Sequence, residues 1–289
     1  MTFSTLILAA ITVGVWNGEW FPSGRAEHRA APEIEQGAIR AAGRMIREGL
    51  NRVDPAGTND LILCFNEFRR DTDGESVAEM LCREIARTNL RVAVVSGYRR
   101  RDRFDQQQDV IATTLPVAGA NWSVWRKTKN PKDAPPRGYA HALLVLEPAV
   151  TASVYCVHLK SNYGQTSEAI AKANREKRSR AIEQLLAQEK PRRGKKPSPM
   201  ILAGDFNADK WNHAFAKETI FSSLEAAGFV EPLGRLPLER RVTHPGTGRF
   251  GDSTLDYIFV RSLDFDGEAA VISAEGVSDH SPVFVNIKL

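Results

Sequence analysis

Short apolar runs recur along this chain, and most of them stop on a residue that can bind water, a proton or a metal ion. Residues 11–15 lead to Asn17, "LILCF" (61–65) to Asn66 and Glu67, and "ASVYCVHL" (152–159) carries His158 near its end. "MILA" (200–203) is followed by Gly204, then Asp205 and Asn207. "STLDYIFV" (253–260) holds Asp256, and Asp279 and His280 stand just before the last run, "SPVFVNIKL" (281–289). Short apolar runs rich in β-branched residues and bounded by turn signals read as buried strands. A sheet built from them places these polar residues at strand ends, where the scaffold holds them rigidly and several can meet in one cleft. In "ILAGDFNAD", side chains two apart on an extended segment share a face, so Asp205 and Asn207 point the same way.

Helical spacing separates the strands. Ile34, Ala38, Ala41, Ala42, Met45, Ile46 and Leu50 predict an amphipathic helix over about 32–50, with Pro32 in its first turn. Further helices are expected over 74–89 and 166–189 and within 212–228, the last closed by Gly228. Strands are also expected at 90–97, 109–115, 123–128, 141–148 and 269–277. Strands outnumber helices and do not alternate with them, which predicts a mixed α/β layered domain rather than a parallel βαβ array. With no internal repeat and no clear linker, residues 1–289 are expected to form one domain.

Composition excludes several classes. The balance of 42% apolar and 26% charged residues is that of an ordinary globular chain, long enough to bury a core without staples. Three scattered cysteines exclude a disulfide framework, and no Cys/His spacing suggests zinc. The apolar N-terminus lacks a basic leader region and is too short before Asn17 to span a bilayer, so it reads as a first core strand from about residue 5. No other segment is apolar enough to span, which predicts a soluble chain, cytoplasmic by default and monomeric. The net charge of +4 points weakly to an anionic partner. It is uneven: residues 172–196 carry ten Lys/Arg against three Glu. The loop "KPRRGKKPSP" (190–199) suits a nucleic-acid backbone, or is simply a solvated loop.

Any one of the polar strand-end residues alone is most simply a turn residue or cap. The set is more informative. Asn17, Glu67, Asp205, Asn207 and Asp279 are hard oxygen donors, joined by the imidazoles of His158 and His280. That mixture suits Mg²⁺ or Mn²⁺ rather than zinc.

In this order, "WNGEW", "NEF", "VHLKSN", "GDFNAD", "TLDYIFV" and "SDHSPV" resemble the endonuclease/exonuclease/phosphatase superfamily, the fold of deoxyribonuclease I, from Trp16 to Val285. "HLKSN" is most similar to bacterial nuclease-type members. The resemblance implies a four-layer α/β sandwich, with two mixed β-sheets face to face and helices outside, and a metal-dependent phosphoric ester hydrolase. It implies Glu67 as the main ligand of a Mg²⁺ or Mn²⁺ ion, with Asn17 and Asp279 near it. Asp205 would orient or deprotonate the attacking water, and Asn207 would hold that water or a phosphate oxygen. His280 would contact the scissile phosphate with Asp256 fixing its ring, and His158 would act at a phosphate oxygen or the leaving group. Arg137, Lys160 and Asn162 are candidate substrate contacts, with Thr254 or Ser253 as weaker ones. Asp209 is expected to be a cap. Two departures leave these groups in place: the stretch from Asn17 to Glu67 is long, predicting an enlarged helix, and Asn66 stands where Gln is more usual. The substrate implied first is DNA or RNA; the alternative is a small or lipid-linked phosphate, such as an inositol phosphate or sphingomyelin.

Overall fold

The computed structural model describes residues 10–23, 31–70, 76–100, 103–104, 107–127, 130, 133–162, 167–190, 196–246 and 251–288. The expected strand residues before Ala10 and most of the basic loop, residues 191–195, lie outside them. In chain order the elements are β1 (Ala10–Phe21), α1 (Pro32–Val53), β2 (Asp60–Phe68), α2 (Val77–Ile85) and β3 (Arg91–Val95). A small hairpin follows, β4 (Arg99–Arg100) and β5 (Arg103–Phe104), then β6 (Gln108–Thr113), β7 (Val117–Val124), β8 (Gly138–Glu147) and β9 (Val150–His158). The chain ends with α3 (Glu168–Gln188), β10 (Met200–Asp205), α4 (Ile220–Ala226), β11 (Asp256–Arg261), β12 (Asp264–Val271) and β13 (Val283–Lys288).

Two mixed sheets carry the fold. One has the strand order β12-β13-β1-β2-β6-β3 and the other β11-β10-β9-β8-β7. Strand alternation splits the apolar residues between two cores. Ile62 and Cys64 of β2 face the opposite sheet and pack with Ala142, Val154, Cys156 and Ile201. Leu61, Leu63 and Phe65 point outward to Ile39, Ala42, Ile46 and Leu50 of α1 and to Leu81 and Ile85 of α2. Ala181, Ile182 and Leu185 of α3 and Leu224 of α4 join the core on the second sheet's side. The layering is therefore α/β/β/α, as the family resemblance implies. Among the described residues, no helix is long and apolar enough to cross a membrane.

Several boundaries differ from expectation for identifiable reasons. β7 ends at Val124, before most of the expected 123–128 strand, because Trp125 turns its ring into the core. β12 starts at Asp264; residues 274–278 form a turn, with Val277 and Ser278 donating to Ala274 O, and that turn delivers Asp279. α2 is shorter than 74–89, held at its start by a Ser76/Glu79 capping box and stopped by Ala86 in left-handed conformation, φ +57°. Gly228, φ +83°, follows α4 as expected. On α3 Ile170 is 45% exposed, whereas Asn174 and Arg178 lie on the buried face. Arg178 is fully buried because it pairs with Glu218 and donates to Lys160 O, so its charge holds the 160–162 segment against the helix.

Candidate active site

Sheet register brings the distant polar residues together. Asp205 pairs with His158 across the parallel β9–β10 ladder and with Asp256 across the antiparallel β10–β11 ladder, so the three stand abreast. Gly204 makes this alignment possible. Its φ is +148°, and a Cβ there would sit 1.8 Å from Val157 O. In the other sheet Asn17 of β1 pairs with Asn66 of β2, and both strands bulge immediately beyond. The turn before β13 is tied to β1 twice: Trp16 Nε1 donates to His280 O at 3.0 Å, and Ser278 Oγ to Asn17 O at 2.8 Å. Glu19, Glu67, Arg137 and Asn207 all have positive φ, between +47° and +60°. Left-handed non-glycine backbone is disfavoured by roughly 1–3 kcal/mol per residue and concentrates at functional sites.

Asp205 is the hub. Its Oδ2 accepts from Asn17 Nδ2 at 3.0 Å and Asn207 Nδ2 at 2.8 Å, and its Oδ1 accepts the Asn207 backbone N–H at 2.7 Å. Burial, above all, raises its pKa to about 7; His280 pulls it down, and the charges of Asp256 and Glu67 add to the rise. Asn207 spends both amide hydrogens, on Asp205 and on Leu159 O, which leaves its Oδ1 free to accept from a water. Asn17 Nδ2 also reaches Glu67 Oε1 at 3.3 Å, while Asn17 Oδ1 accepts the Glu19 N–H. His158 Nε2 lies 3.5 Å from Asp205 Oδ2 and 3.6 Å from Glu67 Oε1. Burial, then Arg137 and His280, holds His158 well below its ordinary pKa, so the ring is neutral. Its Nδ1 is buried without a hydrogen-bond partner among the described residues, so the Nε2–H tautomer places the one proton where the acceptors are.

His280 is the opposite case. Its Nδ1 is 2.7 Å from Asp256 Oδ2. Burial opposes charge on the ring, but Asp256, then Asp205 and Asp279, win and raise its pKa to about 10. The site thus holds one neutral and one protonated imidazole. Asp279 faces His280 and His244: Oδ1 is 3.9 Å from His280 Nε2, and Oδ2 is 3.8 Å from His244 Nε2.

Arg137 lies at the same site, near enough to Glu67 and His158 for its charge to act on both: burial raises the pKa of Glu67 and Arg137 opposes that rise, whereas burial and Arg137 together lower that of His158. Its guanidinium donates to Gln107 Oε1, and Gln107 also bonds Glu67. Lys160 has a lowered pKa, through burial and then the neighbouring charges of Arg137, Lys177 and Arg178. Asn162 Oδ1 is buried with no hydrogen-bond partner among the described residues. The Thr254 hydroxyl is spent on Arg241 O and that of Ser253 on Gly251 O, so neither points to the site as expected. Asp209 is structural, as expected, but braces a turn rather than capping a helix, accepting from Trp211 N and Thr254 N.

Sequence reasoning missed Glu19, Gln107 and His244. Glu19 carried a signal, since it sits two residues beyond Asn17; its carboxylate is held by the Asp279 backbone N–H. Gln107 lay in a polar run and His244 in a Pro/Gly loop, and neither has a strand-end pattern. Asn66, noted only as a departure, proves to be the bolt between the sheets. It accepts Asp205 N–H at 2.9 Å and donates to Val157 O and to buried Asp109.

The donor set fits a divalent cation. Glu67 and Asp205 converge on His158 and share the Asn17 amide, and burial raises both their pKa values. A hard ion among these oxygens would offset the crowded negative charge.

The chain matches the Endonuclease/Exonuclease/phosphatase family over residues 44–280. No curated protein matches it by sequence. Solved structures share its fold. An endonuclease/exonuclease/phosphatase family protein from Leptotrichia buccalis is 15% identical, with a TM-score of 0.63 over 97% of this chain and 100% of that one. TDP2 from D. rerio, complexed with a single-strand DNA product, is 14% identical, with a TM-score of 0.63 over 97% and 99%. Sphingomyelinase C from Streptomyces griseocarneus is 15% identical, with a TM-score of 0.57 over 96% and 99%.

Proposed function

The chain belongs to the Endonuclease/Exonuclease/phosphatase family, hydrolases of phosphoric esters, and from that premise we propose that it is a one-domain, divalent-metal-dependent nuclease acting on DNA or RNA. The observation that carries the nucleic-acid reading is the cationic flank of the site. Lys160 lies close enough to Arg137 and Lys177 for their charges to add to burial in lowering its pKa, and Arg137 stands beside His158; Arg178, buried against Glu218, is not part of that surface. A run of like charges at close quarters suits a polyanion with successive phosphates better than a single phosphate group. Trp122 supports the same reading. It is 41% exposed, lies edge-on to Tyr98 at 5.8 Å and offers a stacking surface for a base.

Glu67 would hold the Mg²⁺ or Mn²⁺ ion, joined by Asn17 once its amide turns its Oδ1 from the Glu19 N–H toward the ion, with Glu19 and Asp279 adding negative charge on the open side. When bound, the ion supplies Lewis-acid polarisation of the phosphate and offsets charge in the transition state. Asp205, with a pKa near neutrality, takes a proton from the attacking water, while Asn207 Oδ1 orients that water. His280, kept protonated by Asp256, donates from Nε2 to a non-bridging phosphate oxygen as charge builds there. His158, as the neutral Nε2–H tautomer, donates to a second oxygen of the phosphate. Arg137, Lys160 and Asn162 contact the flanking backbone.

A substrate panel tests this reading: supercoiled DNA, single-stranded DNA, RNA, an inositol phosphate and sphingomyelin, each with Mg²⁺ or Mn²⁺. Cleavage of a nucleic acid is the expected result. Turnover of a small or lipid phosphate with none on any nucleic acid would replace the nuclease reading with the phosphatase one.

A further inference from the structure

His244 has no part in the mechanism above, yet it completes a ligand set of a different chemistry. One ligand atom from each of His244, Asp279 and His280 lies within 4.8 Å of the other two. The two nitrogen–oxygen separations are 3.8 and 3.9 Å, and the imidazole rings stand 4.9 Å apart at 69°. Two atoms bound at about 2.1 Å to a tetrahedral ion stand about 3.4 Å apart, so closure from separations of up to 4.8 Å requires a contraction of about 1.4 Å at most. The freedom lies in the right places: Asp279 has 46% of its side chain exposed and His244 18%, whereas His280 is buried. His280 Nδ1 is already committed to Asp256 Oδ2 at 2.7 Å. A carboxylate on the far ring nitrogen is the usual support of a metal-binding histidine, leaving Nε2 as the ligand atom.

We propose that His244, Asp279 and His280 form a second metal site, selective for a borderline transition ion such as Zn²⁺ or Co²⁺, and that filling it inhibits the enzyme. Two imidazoles and one carboxylate favour such ions over Mg²⁺, which prefers oxygen ligands and retains its waters. Loading releases the proton from His280 Nε2 to solvent and removes that atom from the substrate phosphate. The inhibitory half rests on the hydrolase mechanism proposed above; the binding half does not.

The test is a Co²⁺ titration of the chelator-treated full chain in excess Mg²⁺, followed by visible absorption, with Zn²⁺ as competitor. The expected result is one tightly held Co²⁺ per chain, displaced by Zn²⁺ and not by Mg²⁺. His244→Ala and His244→Phe should each weaken binding by about tenfold or more. Phe keeps a ring against His280, so an equal loss in both variants excludes a packing effect, and a melting curve shows that Phe folds. Glu67→Gln should leave Co²⁺ binding within about threefold, because Glu67 belongs to the other site. With substrate present, Zn²⁺ should inhibit wild type more strongly than His244→Phe, each measured against its own rate in Mg²⁺ alone. Wild-type binding by both His244 variants, or displacement of Co²⁺ by Mg²⁺, would overturn the proposal. Binding as expected in a chain that hydrolyses no phosphoric ester would leave the metal site standing and overturn the function instead.

Discussion

Asp256→Asn separates the charge on His280 from the shape of the site. Asn fills the same volume and can still accept from Nδ1–H, but it carries no charge. At about 1.4 kcal/mol per pH unit, the rise of His280 from 6.5 to about 10 represents about 5 kcal/mol of preference for the protonated ring. The two largest upward contributions both come from Asp256, ahead of Asp205 and Asp279. Losing even half of the rise brings the ring to about pH 8. In wild type, kcat should therefore show no loss from His280 until pH approaches about 10. In Asp256→Asn a falling limb should appear at or below about pH 8, with a rate loss of roughly 10²-fold above it. NMR of the His280 ring proton across the same range would report the titration directly. Stability should follow the same sign. The folded value lies above the ordinary one, so the contribution of protonated His280 is complete below pH 6.5 and fades as pH rises through about 10. Urea midpoints of wild type and variant should differ most at the acid end of that window and converge at the alkaline end. A variant with the wild-type pH profile and an unmoved ring titration would refute this reasoning.

Three further outcomes are expected. Arg178→Ala leaves Glu218 buried and unpaired and frees the Lys160 carbonyl, so urea denaturation should show a loss of roughly 3–5 kcal/mol. Gly204→Ala places a methyl 1.8 Å from Val157 O, so the β9–β10 register should break; loss of soluble folded protein, or of all activity in whatever folds, is the result to measure. Arg137→Ala and Lys160→Ala should each raise KM for an oligonucleotide and lower the slope of log affinity against log salt by about one. A small phosphate ester should be less sensitive to the same changes.

The fold was largely legible because strands buried on both faces leave short continuous apolar runs, and most of those runs were flanked by a polar residue. His158, Asp205 and Asp256 were found separately, and the register of β9, β10 and β11 then placed them in one row. What stayed hidden has physical causes. Nothing in the sequence marks Arg178 and Asn174 as buried, because charge and amide normally face water, yet a partner holds each of them inside. Asn66 read only as a departure from the more usual Gln, because one residue's letter carries no information about the opposing sheet; only the packing shows its amide joining Asp205, Asp109 and Val157. His244 is brought to the site by a pairing with Ser253 across a loop, a contact with no periodicity to betray it. The β7 and β12 boundaries slipped because a buried Trp125 and an apolar turn at residues 274–278 resemble strand in composition.

The most direct measurement of the central claim is single-turnover cleavage of an end-labelled oligonucleotide by wild type and Asp205→Asn, with Mg²⁺ and with chelator. Cleavage by wild type that requires the ion and falls by roughly 10³-fold or more in Asp205→Asn is the expected result. Cleavage that survives the chelator, or an Asp205→Asn variant that cleaves like wild type, would contradict it.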